Sequence, residues 1–154
     1  MKPVLAVLKK ECEKINAELQ KLSKGEVSSF EDLTISSGGE VYFDEVVEPI
    51  NGIFEKYGYE PWDASDIQSG GLPDGMWDYG QTLTYRKKVN GKEVYVDVSV
   101  LVEGWGSSVT NVSIKLDKLY SYDYDANDNP IIYFARRLTE NGWEDCTDEL
   151  EGEL

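Results

Sequence analysis

Five valines at alternate positions, Val94, Val96, Val98, Val100 and Val102, follow directly on the pair Asn90-Gly91. Strand side chains point to opposite faces with a period of two, so unbroken alternation of this kind commits one face to a core. Asn-Gly suits a two-residue type I′ turn because both residues accept positive φ. That turn pairs Val89 with Lys92, and counting outward sets Tyr85 opposite Val96 and Leu83 opposite Val98 on one face. Arg86 then faces Tyr95, and Thr84 faces Asp97, on the other. The hairpin is expected over residues 81–102. Val112, Ile114 and Leu116 continue the alternation in a third strand over 109–120, and a turn over 125–130 leads to a fourth over 131–138.

The sheet needs a cover. Leu5, Leu8, Cys12, Ile15, Leu19 and Leu22 recur at spacings of three and four, the stripe of an amphipathic helix that Gly25 would end. The same stripe meets the minimum pattern for a coiled coil, but covering the chain's own sheet is the reading preferred. A second helix is expected from near Asp44 to Tyr57. Val46, Val47, Ile50, Ile53, Phe54 and Tyr57 share about a third of its circumference at about 100° per residue, with Asp44, Glu48 and Glu55 opposite. Pro49 fits only a first turn, which argues for a later start, and Gly58 is the expected stop. Residues 26–42, with several serines and Gly38-Gly39, resist assignment.

Residues 60–80 are rich in Gly, Pro, Asp and Trp, which predicts a long acidic loop and the first place to seek a binding surface. The fold class expected is α+β: one domain of 154 residues, an antiparallel meander of four strands or slightly more, and both helices on one face. Residues 140–154 read as an acidic tail.

Charge is the second constraint. Net charge is −15, and no histidine is present. The excess is uneven: residues 1–24 carry +3, residues 25–79 carry −12, residues 80–118 carry +2 and residues 119–154 carry −8. Such a field repels nucleic acid and anionic membranes and attracts basic surfaces. The basic cluster Arg86, Lys87, Lys88 and Lys92 at the hairpin tip reads as internal charge balance. Cys12 and Cys146 lie near opposite ends without metal-ligand spacing and read as free thiols of a cytoplasmic protein. The only early apolar run, residues 3–8, is too short for a secretory signal.

Lack of histidine removes the commonest general base, the commonest metal ligand and every Ser-His or Cys-His dyad. No glycine-rich phosphate loop is present, and no cofactor is expected. A two-carboxylate enzyme is open by inventory alone, since thirty acids make chance pairs inevitable. Asp123, Asp125, Asn127 and Asp128 look like the opening of a calcium loop, but Asp128 stands where an EF-hand needs glycine and Phe134 where it needs glutamate. They are weak metal candidates, better read as a turn held by Asx side chains. The segment from Tyr122 to Asn129 also resembles one YD repeat of large bacterial shell proteins, a likeness that implies a hairpin turn here.

The expectation is therefore a protein that binds rather than catalyses. Its partner surface is placed on Asp44, Glu45, Glu48, Glu55, Glu60, Asp63, Asp66, Asp74 and Asp78, with Trp62 and Trp77 as aromatic anchors. Trp105 and Trp143 fall in segments read as loops or their edges. In general character the chain is similar to phage and plasmid inhibitors of host nucleic-acid enzymes, DNA mimics and anti-CRISPR proteins among them. It is equally similar to acidic immunity proteins that neutralise basic toxins. Those likenesses imply a basic partner protein, a nucleic-acid enzyme or a toxin. A ligand-binding module or enzyme with a carboxylate-lined pocket is the third reading.

Overall fold

The computed structural model describes residues 2–24, 40–71, 75–105 and 108–154. Its elements are α1 (Lys2–Lys24), α2 (Glu40–Lys56), β1 (Glu60–Ala64), β2 (Gln68–Gly71), β3 (Met76–Val89), β4 (Lys92–Trp105), β5 (Ser108–Tyr124), β6 (Pro130–Thr139), β7 (Gly142–Asp145) and α3 (Thr147–Glu153). The fold is α+β. One antiparallel sheet runs in the order β1-β3-β4-β5-β6-β7, with β2 also pairing β3. Residues 26–39, left unassigned from sequence, lie outside the described residues, as do Gly25 and Asp74.

The β3–β4 hairpin has the register the valines dictate. Val89 pairs Lys92, Tyr85 pairs Val96 and Leu83 pairs Val98. Asn90 at φ 51° and Gly91 at φ 79° supply the two positive-φ residues of the turn. All five valines are buried, as are Val112, Ile114 and Leu116 on β5. They meet Leu8, Cys12, Ile15 and Leu19 of α1 and Val46, Ile50 and Phe54 of α2 in one core. The Phe54 ring stacks on Tyr85 with centroids 4.0 Å apart. Where Asp117 is the extra residue of a β-bulge, the Leu116 N–H is met by Asn16 Oδ1 of α1 at 3.0 Å, so the bulge leaves that buried donor satisfied.

Three expectations need correction. Residues 60–80 are not one long loop: β1, β2 and the start of β3 form there, with Gly70 and Gly71 inside β2, while Gly75 at φ 79° sits in a turn. At Gly70 a Cβ would collide with the Asp78 carboxylate, so that glycine serves close strand approach. Helix α2 does not start late. Pro49 lies inside it, and the helix tolerates the missing N–H because Val46 and Ile50, both fully buried, anchor the turn on either side.

Residues 140–154 are not a tail, since β7 and α3 are built from them. The two expected helices, α1 and α2, do share one face, and α3 is an additional helix on the other. Leu150 of α3 packs with Cys146 on Ala135, and beside Tyr120, Tyr122 and Ile132, which lie on the side of the sheet away from α1 and α2. Both sheet edges are short. β1 carries Pro61 and a register shift, and β7 ends in Glu144-Asp145, features that discourage edge-to-edge pairing.

Candidate functional site

Helix α2 and strand β1 meet at one edge of the sheet, and this flank gathers most of the acids picked out from sequence. Glu48 and Glu55 are exposed on α2, Glu60 and Asp63 are exposed on β1, and Asp66 is exposed just beyond it. Asp44 and Glu45 lie on α2, but their side chains are outside the described residues. Asp78 is not part of the flank. It sits half-buried near the opposite end of β3, in register with Glu103. Trp77 is partly buried and packs against the core.

Trp62 is 51% exposed and rigidly placed. The Arg86 guanidinium carbon lies 3.4 Å from its ring centroid, and Arg86 Nε donates to Glu60 Oε1 at 2.8 Å. A planar cation on an indole face is a favourable contact of about 0.5–1 kcal/mol when exposed. Behind β1 lies a cleft of about 360 Å³, whose lining includes Val47 and Asn51 of α2, Pro61, Asp63 and Ala64 of β1, and Leu83 of β3. Asn51 Oδ1 accepts the Tyr85 hydroxyl at 2.5 Å, which ties the helix to the sheet at the cleft wall.

The acids divide by partner. On α1, Glu11 pairs Lys87 at 2.5 Å, and Glu18 pairs Lys56 while accepting the Tyr57 hydroxyl at 2.7 Å. The Lys56 ammonium and that hydroxyl hold the Glu18 carboxyl below its ordinary range. At the C-terminus, Glu149 binds Arg137 at 2.7 Å and Lys118 at 3.0 Å, and its carboxyl is held down to about 2. Glu153 also reaches Lys118, Asp145 reaches Arg136, and Asp117 reaches Arg137. These acids pin α3 and β7 to the sheet.

On the flank, Glu48, Glu55, Asp63 and Asp66 have no ion pair among the described residues, and its two cations, Lys56 and Arg86, are engaged by Glu18 and Glu60. The hairpin-tip cluster thus serves partly as the charge balance expected of it, through Arg86 and Lys87. Lys92 instead donates to the Tyr133 hydroxyl.

The run from Asp123 to Asp128 is a turn built on Asp125. Asp125 Oδ1 accepts the N–H groups of Asn127 and Asn129 at 2.8 and 3.0 Å, bonds that lower its pKa, and Asp128 adopts φ 61°. Asp123 Oδ1 accepts the Tyr124 N–H. Among the described residues no group of three or more potential ligands is arranged to hold a metal ion.

One carboxylate missed from sequence stands on the second face of the sheet. Asp97 Oδ1 accepts both the Thr84 and the Tyr120 hydroxyls at 2.9 Å, and desolvation raises its pKa. Tyr95, Tyr120 and Tyr122 stack beside it. The register Thr84 opposite Asp97 was readable, but the Tyr120 contact needed the third strand's bulge and was not.

Comparison with family models, with curated proteins and with solved structures finds no match to the chain. No helix among the described residues is long and apolar enough to cross a membrane.

Proposed function

We propose that this is a non-enzymatic binding protein whose α2–β1 flank occupies the basic surface of another protein, in the manner of an inhibitor that stands in for nucleic acid. The observation that carries the reading is the division of the acids. Glu11 and Glu18 of α1, and Asp145, Glu149 and Glu153 at the C-terminus, are engaged in internal ion pairs, whereas Glu48, Glu55, Asp63 and Asp66 are exposed with none among the described residues. Carboxylates left unneutralised on a helix and its neighbouring strand present fixed negative charge, which is what a phosphate-binding lysine or arginine seeks. The buried free thiols Cys12 and Cys146 suit a reducing cytoplasm.

The test uses the intact chain, immobilised and exposed to a bacterial lysate. Basic nucleic-acid-binding proteins should be retained at low salt and displaced by added duplex DNA. Changing Glu48, Glu55, Asp63 and Asp66 together to amides should abolish retention with the fold unaltered. A control set must avoid Glu11 and Glu18, which hold α1 to its neighbours. Glu140, Glu144 and Glu151 are exposed without ion pairs among the described residues, and their amides should bind as the parent does. Equal retention by both sets would refute the proposal.

A second reading has one observation in its favour. Trp62, half exposed and held by Arg86, is the kind of rigid aromatic anchor that dominates an interface, with charge only steering approach, as in an immunity protein. Salt separates the two. Retention that collapses between low and moderate salt favours carboxylate mimicry, and retention that persists favours the anchor.

A further inference from the structure

We infer that the sheet face turned away from α1 and α2 seats a basic segment of the partner protein, with Asp97 taking a cation from it. The inference rests on the reading of a basic partner given above and places its specific contact on a second surface. The strand registers set this face in rows. Glu60 of β1, Arg86 of β3, Tyr95 of β4 and Tyr120 of β5 form one, and Asp63, Thr84, Asp97 and Lys118 form the next. Trp62 stands beside the first row, since its ring centroid lies 3.4 Å from the Arg86 guanidinium carbon. Tyr122 extends the aromatic strip, with Tyr95 stacked on Tyr120 and Tyr122 at centroid distances of 5.4 and 5.3 Å.

Helix α3 covers only the β5–β6 side of this face, where Leu150 packs on Ala135 beside Tyr120, Tyr122 and Ile132. Among the described residues β3 and β4 carry no helix on this side, and Thr84, Arg86, Tyr95 and Asp97 are each half-buried. Asp97 is the group here whose bonding is incomplete. The Thr84 and Tyr120 hydroxyls both donate to Oδ1, and Oδ2 accepts no hydrogen bond among the described residues. The cations of the two rows are engaged elsewhere, Arg86 by Glu60 and Lys118 by Glu149 and Glu153.

Charge selects the occupant. Asp63, Glu93 and Asp97 have no ion pair among the described residues, and Lys88 and Lys115 stand at the two ends of the patch, in register with Glu93 and Ser99. An anionic ligand would meet three carboxylates, and a wholly apolar one would desolvate Asp97 without supplying the bond that Oδ2 lacks. A basic segment satisfies both parts of the surface. Its guanidinium or ammonium group completes Asp97, and the tyrosine and tryptophan rings make favourable contacts with cations and with the alkyl stems that carry them.

The test is a titration of the full chain, ¹⁵N-labelled, with an oligoarginine peptide. The Trp62 indole N–H and the backbone amides of Thr84, Asp97 and Tyr120 should shift saturably. Asp97→Asn keeps the acceptor for both hydroxyls and should weaken binding about tenfold, whereas Glu151→Gln, which removes the same charge from exposed α3, should leave it unchanged. Tyr95→Leu keeps apolar bulk without the planar ring and should weaken binding several-fold. Melting curves confirm that each variant folds.

Equal weakening by Asp97→Asn and Glu151→Gln would mean that net charge alone binds the peptide, and the proposal would fall. It would fall too if sedimentation showed the chain to be a dimer that Tyr95→Leu dissociates, since the occupant would then be a second copy. If Asp97→Asn and Tyr95→Leu bind as the parent while amides at Glu48, Glu55 and Asp66 abolish binding, the face is refuted and the flank reading stands. If the two face variants bind more weakly and that amide set binds as the parent, the face stands and the flank reading falls.

Discussion

Val98 sits at the centre of β4, fully buried, between Leu83 of β3 and Leu116 of β5 in register. Val98→Ala removes two buried carbon groups at about 0.8 kcal/mol each, or about 1.6 kcal/mol of transfer free energy. A residual void of roughly 40 Å³ adds about 1 kcal/mol at about 24 cal/mol per Å³. The expected loss is therefore about 2.5 kcal/mol, which lowers the melting midpoint by about 5–10 °C in a chain of this length. Val98→Asp costs several kcal/mol more, because it places a carboxylate in a predominantly apolar buried cluster. That is comparable with the whole stability of a typical domain, about 5–15 kcal/mol, so the variant should not fold. Ser99→Asp, one residue along on the opposite face and in register with Lys115, should change stability by under about 1 kcal/mol. Thermal melts followed by near-ultraviolet circular dichroism distinguish the three. Cooperative melting of Val98→Asp near the parent midpoint, or collapse of Ser99→Asp, would show that the faces are assigned the wrong way round.

The remaining predictions concern the second face. Burial raises the Asp97 pKa, so its ionised form opposes folding: its contribution is most favourable below the unfolded value of about 3.9 and is lost as pH rises through the folded value. Asp97→Asn keeps the acceptor for Thr84 and Tyr120 and should raise the midpoint at about pH 7, with the gain vanishing at about pH 3; a gain that is the same at both pH values would refute the linkage. Glu149 runs the other way. Its carboxyl is held down to about 2, so its grip on α3 is complete above the ordinary carboxyl range and is lost as pH falls toward that value. Cys146, under α3, should react with a thiol reagent faster than Cys12, whose thiol burial pushes up to about 12. Glu149→Gln should accelerate labelling at Cys146 alone, read by mass spectrometry; equal labelling of both cysteines in parent and variant would mean that α3 does not open separately.

The parts of the fold legible in the sequence were those where one local rule acts alone. Alternation from Val94 to Val102 and the Asn90-Gly91 turn fixed faces and register together, since a slip of one residue would have turned every valine outward. The stripe of α1 was legible for the same reason. The edge strands were not. β1 and β2 have no alternation, carry Pro61, Gly70 and Gly71, and form by pairing with the outer edge of β3, β1 along Leu83–Arg86 and β2 along Trp77–Gly80. Their propensity argues for loop, and a neighbouring strand overrules it. Helix α3 was hidden because Leu150 is its only buried residue, too little to form a stripe.

The site was less legible than the fold, because sequence gives the sign of each charge and not its partner. Glu11 and Glu48 look alike in a charge count, yet one is matched by a lysine 76 residues away and the other has no ion pair among the described residues. The acidic C-terminal block appeared equivalent to the block over 25–79. In the folded chain, however, Asp145, Glu149 and Glu153 close on Arg136, Arg137 and Lys118 across the sheet, so part of its −8 is structural. Subtracting internal pairs leaves Glu48, Glu55, Asp63 and Asp66 on the α2–β1 flank without an ion pair among the described residues, beside an indole stacked on Arg86. A net negative charge by itself favours basic surfaces in general. If the proposed partner surface holds, a rigid aromatic such as Trp62 is the kind of group that would give it a preference among them.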